Sequence, residues 1–340
     1  MNASLRLPHR IITVAVSAAL LFTAFGNAAW AAEANAPRTT FDGAIRNNSL
    51  ALSPDESMAV VSYSERPDVI AYDLKSSTVR GTLSTFITPR NIVFSPDGKL
   101  FYVSDSSLGE VVKIDSASLQ PLSRLPAGAG AFGTALSKDG GMLYVNNQAS
   151  STLTRFDTTS DRARAVIPGF AQPRQGVRLS PDGSKVYVTN FLGDKVTIVD
   201  SKTDKIDGEI MGFNKIRAIS VTADGKTMFA ANSGSNTIAV VDIADRKVTS
   251  TIPVGKDPYG AALTPDGRYV YSGNLADNTV SVIDVTTLKV VATIPGFKQP
   301  RQAIVFTRDG KTAYVLNEDL SVSKVDRSTQ QIVATIAPTK

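Results

Sequence analysis

The stretch SPDGSKVYVTN, Ser180 to Asn190, decides the fold. Pro181-Asp182-Gly183 is a turn: proline presets φ, aspartate accepts a local backbone bond and glycine takes the positive φ. Lys185 to Thr189 then alternates polar and apolar side chains, the pattern of a half-buried strand. The turn aspartate recurs at Asp55, Asp97, Asp139, Asp182, Asp224, Asp266 and Asp309, in steps of 42 or 43 residues. A second aspartate closes each unit, at Asp73, Asp115, Asp157, Asp200, Asp242, Asp284 and Asp326. Two independent marks with one period identify a repeat protein, in which no unit buries its apolar face without neighbours.

Working outward from Asp182, Gly176 to Ser180 forms a short strand before the turn, and Lys185 to Thr189 forms the next. A loop, Asn190 to Asp194, leads to Lys195–Asp200, which alternates again, and Lys205–Ile210 is a weaker fourth strand. Unit six repeats the scheme as GAALT, PDG, YVYSG, NTVSVID and LKVVATI. Four short strands per unit, seven times, predict an all-β chain: a seven-bladed β-propeller with four antiparallel strands per blade, over 47–340. A β-solenoid, with repeats of about 20–30 residues, fits this period poorly. Because each blade is complete in sequence order, the ring is expected to close by packing of blade 7 on blade 1.

Residues 1–31 stand outside the repeat. Arg6 and Arg10 precede an apolar run, Ile11 to Phe25, and Ala29-Trp30-Ala31 is a small-x-small site. This reads as a secretory signal peptide cut after Ala31, which sends the chain to the periplasm or the exterior. The run is short for a span of ~20 residues, and no other segment is apolar enough to cross a membrane. Residues 32–46 are a polar leader. The cut removes the sole histidine, His9, and the sole tryptophan, Trp30, and the chain has no cysteine. What remains carries 34 basic against 31 acidic side chains, too small an excess to argue for nucleic acid from net charge.

Those absences bar Ser-His-Asp and Cys-His nucleophiles and zinc or copper sites built on His and Cys. Calcium needs only oxygen ligands. The innermost strands, SLALS, IVFS, GTALS, GVRLS, AISVT, GAALT and AIVFT, hold no carboxylate, so no metal site or other cofactor is expected in the channel. On these grounds the chain is expected to bind rather than catalyse, with no catalytic residues.

Five residues after the turn aspartate stand Tyr102, Tyr144, Tyr187, Phe229, Tyr271 and Tyr314, expected as core between blades. Three further on, Asp105, Asn147, Asn190, Asn232, Asn274 and Asn317 are expected to cap loops. Arginine recurs just before the innermost strand, at Arg46, Arg90, Arg174, Arg217 and Arg301, with Gln175 and Gln302 beside two of them. Phe132 and Tyr259 occupy nearby places in blades 3 and 6, and Arg178 extends the cationic patch inward. These blade-connecting segments surround one mouth of a propeller channel, and guanidinium groups bind carboxylate or phosphate through paired donors. The ten residues form the candidate ligand site, on the face that also carries the loops Asp105 to Glu110, Asn147 to Ser151, Asn190 to Asp194 and Asn274 to Asn278.

Tyr187-Val188-Thr189-Asn190, within a repeat of SPDG, YV-x-N, V-x-V-I-D and V-x-T-I-P, resembles the YVTN-repeat β-propellers over residues 48–336. Among them the chain is most similar to the secreted bacterial YncE-like proteins, and the resemblance implies a periplasmic location and DNA binding. The repeat is also similar to that of surface-layer propellers and cytosolic lactonases. No catalytic motif comes with the resemblance, and the lack of histidine sets aside the haem d1 propellers that share its repeat style.

The reading is a monomeric binding propeller whose arginine-ringed mouth takes an anionic ligand, an acidic peptide or single-stranded nucleic acid. One rival is a hydrolase or lactonase using the loop carboxylates Glu110, Asp194, Asp277 and Glu318. Another is a structural protein partner in an envelope complex.

Overall fold

In the computed structural model, which describes residues 45–338, the chain forms seven sheets of four antiparallel strands and no helix. Residues 1–44, which hold the expected signal segment and all but the end of the expected leader, lie outside the described residues. Among the described residues no helix is long and apolar enough to cross a membrane. Each sheet is one blade whose strands are consecutive in sequence, at 48–83, 89–126, 131–168, 173–210, 216–253, 262–294 and 304–336. Blade 7 therefore begins at Ile304, before the turn at Asp309.

The turns show why the repeat folds this way. Asp182 accepts a hydrogen bond from the Ser180 hydroxyl at 2.5 Å and from the Ser184 amide at 3.1 Å. The same clasp joins Asp97 to Ser95 and Lys99, and Asp224 to Thr222 and Lys226. Glycine follows at positive φ, +73° at Gly183, where a side chain would be strained. The closing aspartates accept amides two or three residues on, as Asp200 does from Thr203 at 2.9 Å.

Second strands are buried from their second residue on, and their aromatics fill the gaps between sheets as expected: Tyr102, Tyr144, Tyr187, Phe229, Tyr271 and Tyr314 are all core. Burial pushes the Tyr102 hydroxyl up to about 12. Seven apolar clusters sit one at each blade-to-blade interface. The cluster joining blades 7 and 1 packs Leu316, Leu320 and Val322 against Ala59, Val61 and Tyr72. The Tyr72 hydroxyl donates to the Leu320 carbonyl at 2.8 Å. Among the described residues, then, packing closes the ring, without an exchanged strand.

First strands of successive blades lie side by side around the axis. They enclose a cavity of about 370 Å³ that runs into a second of about 510 Å³. Because each blade is antiparallel, its first strand begins at the end where its second strand stops, so Pro-Arg segments and loops share one mouth. Capping residues lock the two together. Asp105 accepts amides of Ile87 and Thr88 at 2.7 and 3.1 Å, and Asn190 accepts the Ala171 amide at 2.7 Å.

Candidate functional site

The mouth is built by alternating guanidinium groups and aromatic rings. Arg174 lies over Phe191 with its guanidinium carbon 3.6 Å from the ring centroid. Arg217 lies between Phe191 and Tyr259, at 5.1 and 4.5 Å. Arg301 also lies over Tyr259, at 5.0 Å. Three cations thus share two rings, an arrangement in which each ring's negative face offsets part of the repulsion. Among the described residues no carboxylate forms an ion pair with Arg174, Arg217 or Arg301. Burial and then the Arg217 charge push the Arg174 guanidinium down to about 10.

One loop position tunes each arginine. It directly follows the capping residue of the second strand. Ser106 there accepts from Arg90 Nε at 2.8 Å, and Ser233 accepts from Arg217 Nε at 2.9 Å. In blade 4 the same position is Phe191, so Arg174 gains a ring and its buried Nε has no partner. In blade 7 it is Glu318, which accepts from the Tyr63 hydroxyl at 3.2 Å and leaves the buried Arg301 Nε without a partner.

The residue before the capping position holds the next blade's arginine by its backbone. Ser62 donates to the Arg90 carbonyl at 2.9 Å, and Asn146 donates to the Arg174 carbonyl. At Gly273 the Arg301 carbonyl comes so close that a Cβ would stand 2.3 Å from it. Gly176 gives similar clearance: a Cβ there would lie 2.5 Å from the Thr189 side chain and 3.2 Å from the Arg217 carbonyl.

The structure divides the ten expected residues. Arg174, Arg217 and Tyr259 are half-buried at the mouth, and Arg301, 4 % exposed, packs behind Tyr259. Arg90 and Phe132, 0 % and 1 % exposed, are placed inside the ring rather than on its face, with the guanidinium 4.5 Å from the ring centroid. Arg90 donates to the Ile45 carbonyl at 2.7 Å and to Asn47 Oδ1 at 3.0 Å, so it holds the end of the leader against blade 1. Arg46 is exposed and paired with Glu65 at 3.6 Å. Gln175 lies in the first strand of blade 4, and Gln302 donates to the Asn48 carbonyl at 2.5 Å. Arg178 lies deeper, in the channel. Phe191 was missed; its only sequence signal is an aromatic in a loop position that is serine in blades 2 and 5.

The loop carboxylates stay apart. Glu110 pairs with Arg124, Asp194 accepts the Ile216 amide at 3.4 Å, and Asp277 accepts the Lys256 amide at 2.6 Å. Among the described residues no three His, Cys, Asp or Glu side chains gather as a metal-binding group.

Residues 49–207 match the family model described as lactonase, 7-bladed beta-propeller, and residues 182–303 match the cytochrome D1 heme domain. Among solved structures the chain is similar to one titled Kuenenia stuttgartiensis hydrazine synthase. Identity is 20 %, TM-score 0.76, and the match covers 82 % of this chain and 95 % of that one. It is also similar to a functionally unknown protein from Desulfotomaculum acetoxidans, at 20 % identity and TM-score 0.63, over 69 % of this chain and 78 % of that one. No curated protein matches. At this identity the structural likenesses show the propeller fold.

The family matches correct the expectation of a non-catalytic propeller, because both models describe enzyme-type propellers. That expectation leaned on missing histidine and cysteine, which bars imidazole and thiolate routes and leaves routes through guanidinium, carboxylate and water. The haem implied by the second match does not fit this chain. The residues lining both channel cavities offer no imidazole, thiolate, thioether or phenolate to a haem iron.

Proposed function

We propose that the mouth formed by Arg174, Arg217 and Arg301 binds a small anion through a carboxylate or phosphate group. The observation that carries this is the cluster itself: three guanidinium groups on two shared rings, with no carboxylate ion-paired to them among the described residues. A planar anion placed before Arg174 and Arg217 would accept paired N–H donors from groups already packed over Phe191 and Tyr259. Packing them in advance lowers the ordering cost of binding.

The finer placement among YncE-like YVTN propellers, and export by residues 1–31, belong to the same proposal. They rest on Tyr187 to Asn190 and on the Ala29-Trp30-Ala31 site. Nucleic acid is less favoured, because single-strand binding needs open ring faces for stacking. Here each of the Phe191 and Tyr259 rings already has two guanidinium groups over it.

The test is calorimetric titration of the chain lacking residues 1–31 with inorganic phosphate, citrate, an acidic peptide and an oligothymidylate. A panel of lactones and carboxylate esters assayed for turnover forms a parallel arm. Saturable binding of phosphate or citrate supports the proposal. Binding of none of the four probes refutes it, and a preference for the oligonucleotide replaces it with strand binding.

A further inference from the structure

We propose a second anion site inside the channel, centred on Arg178, that takes a small organic monocarboxylate with a hydrogen-bonding group at its other end.

Seven residues occupy one tier of the innermost strands, each opposite the core aromatic position of its blade: Ala51, Val93, Ala135, Arg178, Ser220, Ala262 and Val305. Six are small or apolar and one is charged. A propeller gains nothing in stability from a lone guanidinium there. The side chain is open to the channel and lines both of its cavities, and the surrounding protein lowers its pKa by desolvation. Its one protein hydrogen bond runs from Nη1 to the Val177 carbonyl of its own strand, at 2.9 Å. No carboxylate among the described residues pairs with it. A guanidinium open to the cavity with most of its donors unused is placed to meet an anion that enters, through paired N–H donors.

Two further observations come from neighbouring side chains. Asn48, 1 % exposed, lines the same cavity with both its amide nitrogen and its amide oxygen unpartnered. Ser220, next to Arg178 in the tier, has a buried hydroxyl without a partner and lines the adjoining cavity. Buried polar atoms are rarely left unpaired in a folded protein. Blade 4 carries Arg178, and blades 7 and 1 stand opposite it in the ring, so cation and amide sit at two ends of the cavity. Between them the walls are Leu50, Ile92, Ala135, Leu136 and Val305. A cavity of about 370 Å³ with apolar walls and a few convergent polar groups suits a small molecule. A single cation selects a single negative charge, whereas three cations at the mouth suit a phosphate or polycarboxylate. The channel proposal therefore stands apart from the mouth proposal.

Calorimetric titration of the chain lacking residues 1–31 with lactate, pyruvate and 3-hydroxybutyrate tests it. Three variants are compared: Arg178→Gln, Arg178→Lys and the mouth double variant Arg174→Gln/Arg217→Gln. We expect saturable binding of at least one probe. Arg178→Gln should weaken that binding at least tenfold, the loss of one charge-assisted contact. Arg178→Lys should restore part of it, and the mouth variant should change it less than twofold. Thermal melting is the second readout: without ligand Arg178→Gln should melt close to the parent chain, because the side chain is open to the channel and pairs with no carboxylate among the described residues. No binding of the three probes overturns the proposal. So does binding that Arg178→Gln leaves intact, or a fall in Tm for Arg178→Gln without ligand, which would mark Arg178 as structural.

Discussion

The guanidinium carbon of Arg174 lies 3.6 Å from the centroid of the Phe191 ring, and its buried Nε has no acceptor among the described residues. In blades 2 and 5 the residue in Phe191's place is a serine that accepts from the arginine Nε. The exchange of serine for phenylalanine turns a locked guanidinium into a stacked one with donors left over. Replacing Phe191 by serine should therefore convert Arg174 to the locked kind. The expected result is a folded protein whose affinity for the mouth anion falls about tenfold, read by calorimetry.

Arg90 is expected to answer differently. It is fully buried, stacks on Phe132 and joins Ser106, Asn47 and the Ile45 carbonyl. Arg90→Ala should cost about 3 kcal/mol of folding stability, since it strands several buried acceptors at once. Urea unfolding reads the loss, and anion affinity in the remaining folded protein should be unchanged.

Gly273 positions Arg301 by having no side chain. A Cβ there would meet the Arg301 carbonyl at 2.3 Å and the Pro300 carbonyl carbon at 3.0 Å, both backbone atoms that cannot swing away. Gly273→Ala should destabilise the fold by about 1–3 kcal/mol through overpacking and move Arg301 off Tyr259. Denaturation together with anion titration of the same variant checks both effects.

Acid should unfold the propeller through its turns. Hydroxyl hydrogen bonds from Ser53, Ser95, Ser137, Ser180 and Thr222 hold Asp55, Asp97, Asp139, Asp182 and Asp224 below the usual carboxylate range, Asp182 at about 2. A carboxylate whose folded pKa is depressed contributes stability that is complete above its unfolded value, about 3.9, and is lost as pH falls through the folded value. Tm should stay level down to about pH 5 and drop between about pH 4 and pH 2. Asp182→Asn should lower Tm at neutral pH and make it less sensitive to acid.

The turns that will fail in acid are also what made the fold legible. Asp182, Gly183 and Tyr187 each carry their own local reason, a clasp, a positive φ and a core filling, and seven repeats, six of them with all three features, leave little choice of architecture. The site was less legible because its arginines share one sequence context and meet different neighbours. Pro89-Arg90 and Pro173-Arg174 look alike, yet one guanidinium is sealed by the leader's end and the other opens on Phe191. Those partners lie 45 and 17 residues away in sequence, at Ile45 before the neighbouring blade and at Phe191 after the second strand of the same blade, and only strand pairing and blade packing bring them in. The loss of histidine suggested binding without catalysis for a similar reason: a missing residue type speaks to particular mechanisms, and the lactonase match over 49–207 speaks to the blades themselves.

The most direct measurement is a calorimetric titration of inorganic phosphate and citrate into the chain lacking residues 1–31 and into Arg174→Gln/Arg217→Gln, at low and at physiological salt. An anion-binding mouth gives saturable binding that weakens as salt rises and falls at least tenfold in the double variant, while both proteins melt alike. Equal affinity in the two proteins, or no binding in either at low salt, would contradict it.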